Sequence, residues 1–117
     1  MKSYQELEVW QKSMNLTTLI YQITQNFPRS EMYGLTNQMR RSAIAVPSNI
    51  AEGYGRGHRL EYIQFLRVAY GSSLELETQL ILAQRIGYVS ETEAQETGAF
   101  LQSVQMMLNK LMKALST

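Results

Sequence analysis

The chain has 117 residues, 44% of them hydrophobic, and a formal net charge of +1. This size and apolar content predict one folded domain over residues 1–117 rather than a disordered chain. It contains no Cys, which excludes disulfides, thiolate metal sites and a cysteine nucleophile. No apolar run reaches the roughly 20 residues of a membrane-spanning helix, and the first residues lack the apolar segment of a secretory signal. We therefore expect a cytoplasmic protein without a membrane partner.

Apolar residues recur at helical spacing in four segments, and no segment alternates as a strand does. The first segment ends at Phe27, because the residue before a proline is pushed out of the helical region. The second begins at Ser30, which is a favourable N-cap residue, and ends in the glycines after Glu52. Pro47 lies inside the second segment, so we predict a kink in that helix.

The third segment covers about His58 to Ile86, and Gly87 follows it at a C-cap position. The fourth starts at Ser90, where the sequence Ser-Glu-Thr-Glu predicts a capping box with Glu93. Four amphipathic helices with short connections predict an all-α fold, namely an antiparallel up-down four-helix bundle. The apolar faces are too wide for one slim bundle, so we expect a second subunit to cover part of them.

Three glycines alternate in the stretch "VPSNIAEGYGRGHR", which covers residues 46–59. A phosphate-binding loop needs a strand before its glycines, whereas a helix precedes these, so we interpret them as a helix C-terminus. The only histidine is His58, and no Glu-x-x-His pair of the kind found in di-iron bundles is present. We therefore predict no catalytic residues, no metal site and no cofactor.

The carboxylate of Glu52 has two possible roles. Acid–base catalysis would need a second titratable group beside it, and the sequence offers no clear candidate. A hydrogen-bonded ion network that fixes helix register explains the surrounding polar residues better. The predicted members of this structural polar network are Asn37, Arg41, Asn49, Glu52 and Glu75.

Charge is segregated along the chain. Residues 29–67 carry six Arg against three Glu, whereas residues 75–96 carry five Glu against one Arg. If several basic side chains near the turn between helices two and three share a surface with Tyr54, they could contact phosphates and stack a base. The alternative is an ordinary solvated face with paired charges. The candidate nucleic-acid-binding residues are Arg40, Arg41, Arg56, His58, Arg59 and Arg67.

The chain resembles the four-helix-bundle family of ribosomal RNA intervening-sequence proteins, also labelled S23-type ribosomal proteins. The matching stretches are "ELEVWQKSM", "FPRSEMYGLTNQMRRSAIAVPSNIAEGYGR" and "EYIQFLRVAYGSSLELETQLILAQRIGYVS". They cover about Leu7 to Ser90, and the most specific run is R-R-S-A-x-x-x-P-S-N-I-A-E-G. The resemblance implies that the residues of this run serve packing. The run carries over as Arg41, Ser42, Pro47, Ser48, Asn49, Ile50, Ala51, Glu52 and Gly53.

The resemblance implies a homopentameric ring without enzymatic activity. It also implies a fold similar to the accessory proteins of diversity-generating retroelements, which bind nucleic acid and a reverse transcriptase. Those proteins are strongly basic, whereas this chain has a net charge of +1. The lower charge argues against strong, sequence-independent nucleic-acid binding. From the basic residues between Arg40 and Arg67 and from the family, we expect a non-enzymatic oligomeric adaptor that binds RNA or DNA. The alternative is an oligomeric protein–protein scaffold with no nucleic-acid binding.

Overall fold

The computed structural model describes residues 3–116. Within that range the protein has four long α-helices, two short 3₁₀ turns and no strand, which confirms the predicted all-α fold with four helices. The helices are α1 (Glu8–Thr24), α2 (Leu35–Gly55), α3 (Arg59–Arg85) and α4 (Glu91–Leu115), and the 3₁₀ turns are Tyr4–Glu6 and Arg29–Glu31.

Each helix packs against two others. Helix α2 contacts α1 and α3, and α4 contacts the same two helices from the other side. The longest helix, α3, has 27 residues and a length of about 40 Å, which accounts for the 44 Å long axis of the molecule. The core consists of fully buried residues from all four helices, the largest being Leu16, Ile20, Met39, Ile50, Leu66, Leu76, Leu101 and Leu108.

The start of α2 differs from the prediction. Ser30 is not the N-cap of a long helix, because it lies inside the turn Arg29–Glu31 and α2 begins only at Leu35. The capping group comes from outside the helix: the Glu31 carboxylate accepts a hydrogen bond from the Leu35 N–H at 3.2 Å. Gly34 makes room for it, since a Cβ at that position would lie 2.8 Å from the Glu31 Oε1 atom. Helix α1 likewise ends at Thr24, before the predicted Phe27.

Helix α2 continues without a break through Pro47, which is buried. Proline has no N–H, so the carbonyl four residues earlier, that of Ala43, loses its usual helical partner. The Thr17 hydroxyl of α1 lies 3.1 Å from this carbonyl oxygen and is shared with the Ser13 carbonyl at 2.8 Å. A contact between two helices therefore satisfies the group that the proline leaves unpaired.

Two glycines with positive φ form the later turns. Gly57 (φ 76°) lies between α2 and α3, and Gly87 (φ 86°) follows α3, where side chains other than glycine are strained. After Gly87, the Ser90 hydroxyl accepts a hydrogen bond from the Glu93 N–H while the Glu93 carboxylate accepts one from the Ser90 N–H, each at 3.1 Å. The predicted capping box is confirmed.

Gly53 belongs to the same glycine run but has a different role. It is buried inside α2, and a Cβ at this position would lie 2.6 Å from the Phe65 Cβ and 3.2 Å from the Tyr62 ring. The absence of a side chain therefore allows α2 and α3 to approach closely just before the turn.

Candidate functional site

Arg40 belongs to α2, and its side chain packs against α1. Its guanidinium carbon stands 4.5 Å from the centre of the Tyr21 ring, and its Nε donates a hydrogen bond to the Thr24 hydroxyl at 2.9 Å. Both partners belong to α1. Arg40 therefore stabilises the packing of α2 against α1.

Arg56 follows α2 and is engaged by two carboxylates. Its Nη2 lies 2.9 Å from Glu52 Oε2 and its Nη1 lies 3.9 Å from Glu61 Oε2. The hydrogen bond to Glu52 raises the pKa of Arg56. The guanidinium also stands 5.0 Å from the centre of the Phe65 ring. These neighbours reduce the net charge that Arg56 offers to a phosphate.

Arg59 and Arg67 lie in one groove together with Lys113 of α4. The groove is open, has a volume of about 750 Å³, and contains no carboxylate among its described lining residues. Neither Arg67 nor Lys113 forms an ion pair within residues 3–116. The lining residues of this α3–α4 groove are Arg59, Leu60, Ile63, Gln64, Arg67, Met112, Lys113 and Ser116.

Arg59 is held in place at the edge of the α3–α4 groove. Its Nη1 donates a hydrogen bond to the carbonyl oxygen of Leu115 at 2.7 Å, in the last turn of α4. Carbonyls at a helix C-terminus lack helical partners and carry partial negative charge, so a guanidinium is favourable there. An arginine can make this bond and still present other N–H groups to a ligand, because it has five donors.

His58 and Tyr54 lie at the turn between α2 and α3. His58 is the exposed N-cap residue of α3. The Tyr54 ring packs edge-on against the Tyr62 ring, with centroids 5.9 Å apart, and both residues line a small cleft with His58 and Arg59. The Tyr62 hydroxyl is buried without a hydrogen-bond partner in the described chain, and burial raises its pKa.

Arg41 lies on another surface, in a polar cleft between α2 and α3. Two other residues of the predicted polar network, Asn37 and Glu75, line this cleft, and Glu75 accepts a hydrogen bond from the Ser42 hydroxyl at 3.0 Å. The remaining two lie elsewhere: Glu52 pairs with Arg56, and Asn49 donates to the Ala45 carbonyl at 2.7 Å. We call this surface the α2–α3 cleft, and it is lined by Tyr33, Asn37, Gln38, Arg41, Ser42, Ala45, Glu75 and Gln79.

The six predicted basic residues are thus distributed over several surfaces. Only Arg59 and Arg67 share the α3–α4 groove, and Lys113 was not among the predicted site residues. Lys113 could have been predicted from its position near the end of α4. When consecutive helices of a bundle pack antiparallel, the end of the fourth helix lies beside the start of the third.

A family model described as 23S rRNA-intervening sequence protein matches residues 5–110 of the chain. The chain belongs to this family. A crystal structure of a protein of unknown function from the S23 ribosomal protein family of Bacteroides thetaiotaomicron VPI-5482 is similar, with a TM-score of 0.81 and 22% identity. The match covers 90% of this chain and 98% of that one, and at this identity it shows the fold alone. A comparison with curated protein sequences found no match.

The resemblance inferred from the sequence motifs is therefore confirmed. In this intervening-sequence protein several residues of the most specific run are buried in α2, including Ser42, Ala43, Pro47 and Ile50. Glu52 and Ser48 of the same run are exposed.

Two further properties bear on the site. Among the residues that the structure describes, no three side chains of the metal-ligating types come together. None of the described helices combines the length and apolarity that a membrane crossing requires.

Proposed function

We propose that the protein is a non-enzymatic, cytoplasmic, oligomeric adaptor that binds RNA through the α3–α4 groove. The observation that supports this is the convergence of Arg59, Arg67 and Lys113 in one groove whose described lining residues include no carboxylate. Neutralisation of phosphates by such side chains supplies most of the affinity in non-specific nucleic-acid binding. The family description, which refers to 23S rRNA, favours RNA as the polyanion.

A homopentameric ring of antiparallel up-down bundles is part of the same proposal. Two side-chain contacts support the up-down arrangement. Lys12, near the start of α1, lies over the Phe100 ring inside α4, whereas Phe27, after the end of α1, packs against Tyr88, just before α4 begins. Contacts in this order favour an antiparallel arrangement of α1 and α4. The kink at Pro47 also stays part of the proposal. So does the likeness to retroelement accessory proteins.

Two exposed apolar surfaces favour the ring. The first lies on α3, where Val68 is 53% exposed and further apolar side chains follow, namely Leu74, Ile81 and Leu82. The second is a groove between α1 and α2, lined mainly by Tyr4, Trp10, Met14, Ile44, Pro47 and Ala51. Because the two surfaces are different, their contact would be head-to-tail, which is the arrangement that generates rings. A ring repeats the α3–α4 groove and so multiplies the effect of three cations.

The test is a titration of structured RNA, measured by fluorescence anisotropy between about 50 and 200 mM salt. We expect affinity to fall steeply with salt. Arg67→Glu and Lys113→Glu should each weaken binding and reduce the salt slope by about one unit per lost phosphate contact. Arg29→Glu is the matched control, because Arg29 is exposed in the turn before α2 and lies outside the groove. Absence of binding at about 50 mM salt, or equal loss in the control, overturns the proposal.

The second candidate function is an oligomeric scaffold for another protein. It is favoured by the exposed apolar side chains of α3, because contiguous exposed apolar surface marks protein–protein contacts. A ring that forms normally but binds no RNA at any salt concentration would support the scaffold over the adaptor.

A further inference from the structure

The α2–α3 cleft contains polar groups whose hydrogen-bonding capacity is largely unused. It has a volume of about 480 Å³, which lies within the range of about 300–1,000 Å³ that small-molecule sites occupy. It shares no lining residue with the α3–α4 groove among the residues described. Occupation of one surface therefore does not require the other.

Arg41 and Glu75 face the same cleft from two helices, yet no ion pair joins them in the described structure. Glu75 accepts one hydrogen bond, from Ser42, and carboxylates accept more than one. Gln79 is only 8% exposed, and its Oε1 has no hydrogen-bond partner within residues 3–116. Buried polar groups without partners are unfavourable, so an occupant that lets the Gln79 amide form a hydrogen bond would stabilise the cleft.

These groups define the chemistry of the occupant. The Glu75 carboxylate and the Gln79 amide oxygen accept hydrogen bonds, so they favour a ligand with N–H donors along one edge. The unpaired guanidinium of Arg41 favours two acceptors along another edge of the ligand. Tyr33 lies at the same cleft and is 94% exposed, which leaves its ring free for stacking. A flat ligand that has a donor edge and an acceptor edge would match these groups and could stack on Tyr33.

Guanine is the nucleobase with this pattern. Its N1–H and 2-amino groups donate side by side, as a carboxylate requires, and its O6 and N7 atoms accept together from an arginine. Adenine and uracil offer neither the pair of adjacent donors nor the pair of adjacent acceptors. The donor edge is engaged in a base pair when RNA is double-stranded, so only an unpaired guanine offers it.

We propose that the α2–α3 cleft binds the guanine base of an unpaired nucleotide. Glu75 accepts from N1–H and the 2-amino group, Arg41 donates to O6 and N7, and Tyr33 stacks on the base. The Gln79 Oε1 atom accepts from the 2-amino group on the same edge as Glu75. The inference rests on the proposed RNA binding for its biological setting, but it is tested with free nucleotides and can stand or fall separately.

The experiment titrates the full chain with guanosine, inosine, adenosine and uridine 5′-monophosphates, followed by calorimetry and by NMR shifts of residues near Arg41. Inosine monophosphate differs from guanosine monophosphate by the missing 2-amino group. We expect the guanine nucleotide to bind about tenfold or more tightly than the other three, which is the discrimination that paired hydrogen bonds to a base provide.

Three variants assign the roles. Glu75→Gln should abolish the preference for guanine over inosine, and its amide oxygen can still accept from Ser42, so the fold is kept. Arg41→Lys retains the charge but loses the paired donors, and should weaken guanine about tenfold. Tyr33→Leu should weaken all four nucleotides similarly. Thermal melts of each variant verify that it is folded.

The outcomes separate the two proposals. Arg67→Glu should weaken RNA binding and leave the affinity for guanosine monophosphate unchanged. If wild-type protein binds RNA in a salt-dependent way but binds no guanosine monophosphate, the cleft proposal fails and the groove proposal stands. Equal binding of all four nucleotides, unchanged discrimination between guanine and inosine in Glu75→Gln, or unchanged affinity for guanosine monophosphate in Arg41→Lys also overturns the cleft proposal.

Discussion

The Thr17 hydroxyl of α1 lies 3.1 Å from the Ala43 carbonyl oxygen of α2, the group that Pro47 leaves without a helical partner. A proline inside a helix usually costs about 3 kcal/mol. Here a neighbouring helix supplies a hydroxyl in place of the missing N–H. Helix α2 is therefore stabilised in part by its packing against α1.

Replacement of Thr17 by valine should lower the free energy of unfolding by about 1–3 kcal/mol, since the buried carbonyl of Ala43 loses its partner. The measurement is urea denaturation followed by circular dichroism. Thr18→Val is the matched control, because the Thr18 hydroxyl bonds only within α1, to the Met14 carbonyl at 3.1 Å. Equal destabilisation by the two changes would contradict a role for the contact between helices.

Gly53→Ala should destabilise the protein although alanine favours helix. The new methyl group would lie 2.6 Å from the Phe65 Cβ, and overpacking of this kind costs about 1–3 kcal/mol. Gly55→Ala provides the comparison, because its Cβ would meet no described atom within 4 Å. We expect that change to stabilise by about 0.5–1 kcal/mol. If both variants gained stability in thermal melts, the close approach of α2 and α3 would be disproved.

Tyr88 should make the stability of the protein depend on pH in the alkaline range. Its hydroxyl donates to Glu31 Oε2 at 2.9 Å, and this bond raises the pKa of Tyr88 above its ordinary value of 10.0. The folded state thus favours the protonated phenol, so the contribution is complete below pH 10 and is lost as pH rises through the folded-state pKa. The unfolding free energies of wild type and Tyr88→Phe should therefore converge above about pH 10.

The control for this comparison is Tyr33→Phe, since the Tyr33 ring is exposed and no hydrogen bond joins it to Glu31 within the described residues. Below about pH 10, Tyr33→Phe should destabilise the protein less than Tyr88→Phe, because it removes no hydrogen bond to Glu31. The raised pKa of Tyr62 is common to all three proteins and cancels. A pH-independent difference for Tyr88→Phe would argue against the hydrogen bond to Glu31.

Introduction of a charge on the outer surface of α3 should dissociate the proposed ring. Leu82→Glu places a carboxylate beside the exposed Ile81, which removes part of the apolar match with a neighbouring subunit. Light scattering should show a mass near five subunits for wild type and near one for the variant. Met106→Glu alters an equally apolar residue on α4, 66% exposed, and should leave the mass unchanged. A wild-type monomer at micromolar concentration would refute the ring.

The ends of the helices show what local sequence can predict. The capping box of Ser90 and Glu93 and the turn at Gly87 involve residues within a few positions of one another, so their chemistry is visible in the sequence. The start of α2 depends instead on the Glu31 carboxylate, which reaches forward over a glycine to the Leu35 N–H. The prediction of Ser30 as the N-cap was wrong because it considered only the serine hydroxyl and not the nearby Glu31 carboxylate as an acceptor.

The basic residues show why the site was harder to predict. Arg40 and Arg41 are adjacent in sequence, but successive helical residues point about 100° apart. One therefore packs on Tyr21 and the other lines the α2–α3 cleft. Arg67 and Lys113 are far apart in the chain and meet only because α3 and α4 pack together. Neighbouring positions in sequence do not predict a shared surface on a helix.

The hydrogen bond from Arg59 to the Leu115 carbonyl has a consequence for anything that follows α4 in the chain. A ligand that binds the other N–H groups of Arg59 and draws the guanidinium deeper into the α3–α4 groove would lengthen the bond from Nη1 to the Leu115 carbonyl. Fraying of that turn would then report on occupancy at a distance from the ligand itself. The signal of a fluorophore placed after Leu115 would then change when RNA binds. A C-terminal extension of the chain would respond to RNA in the same way, through Arg59 alone.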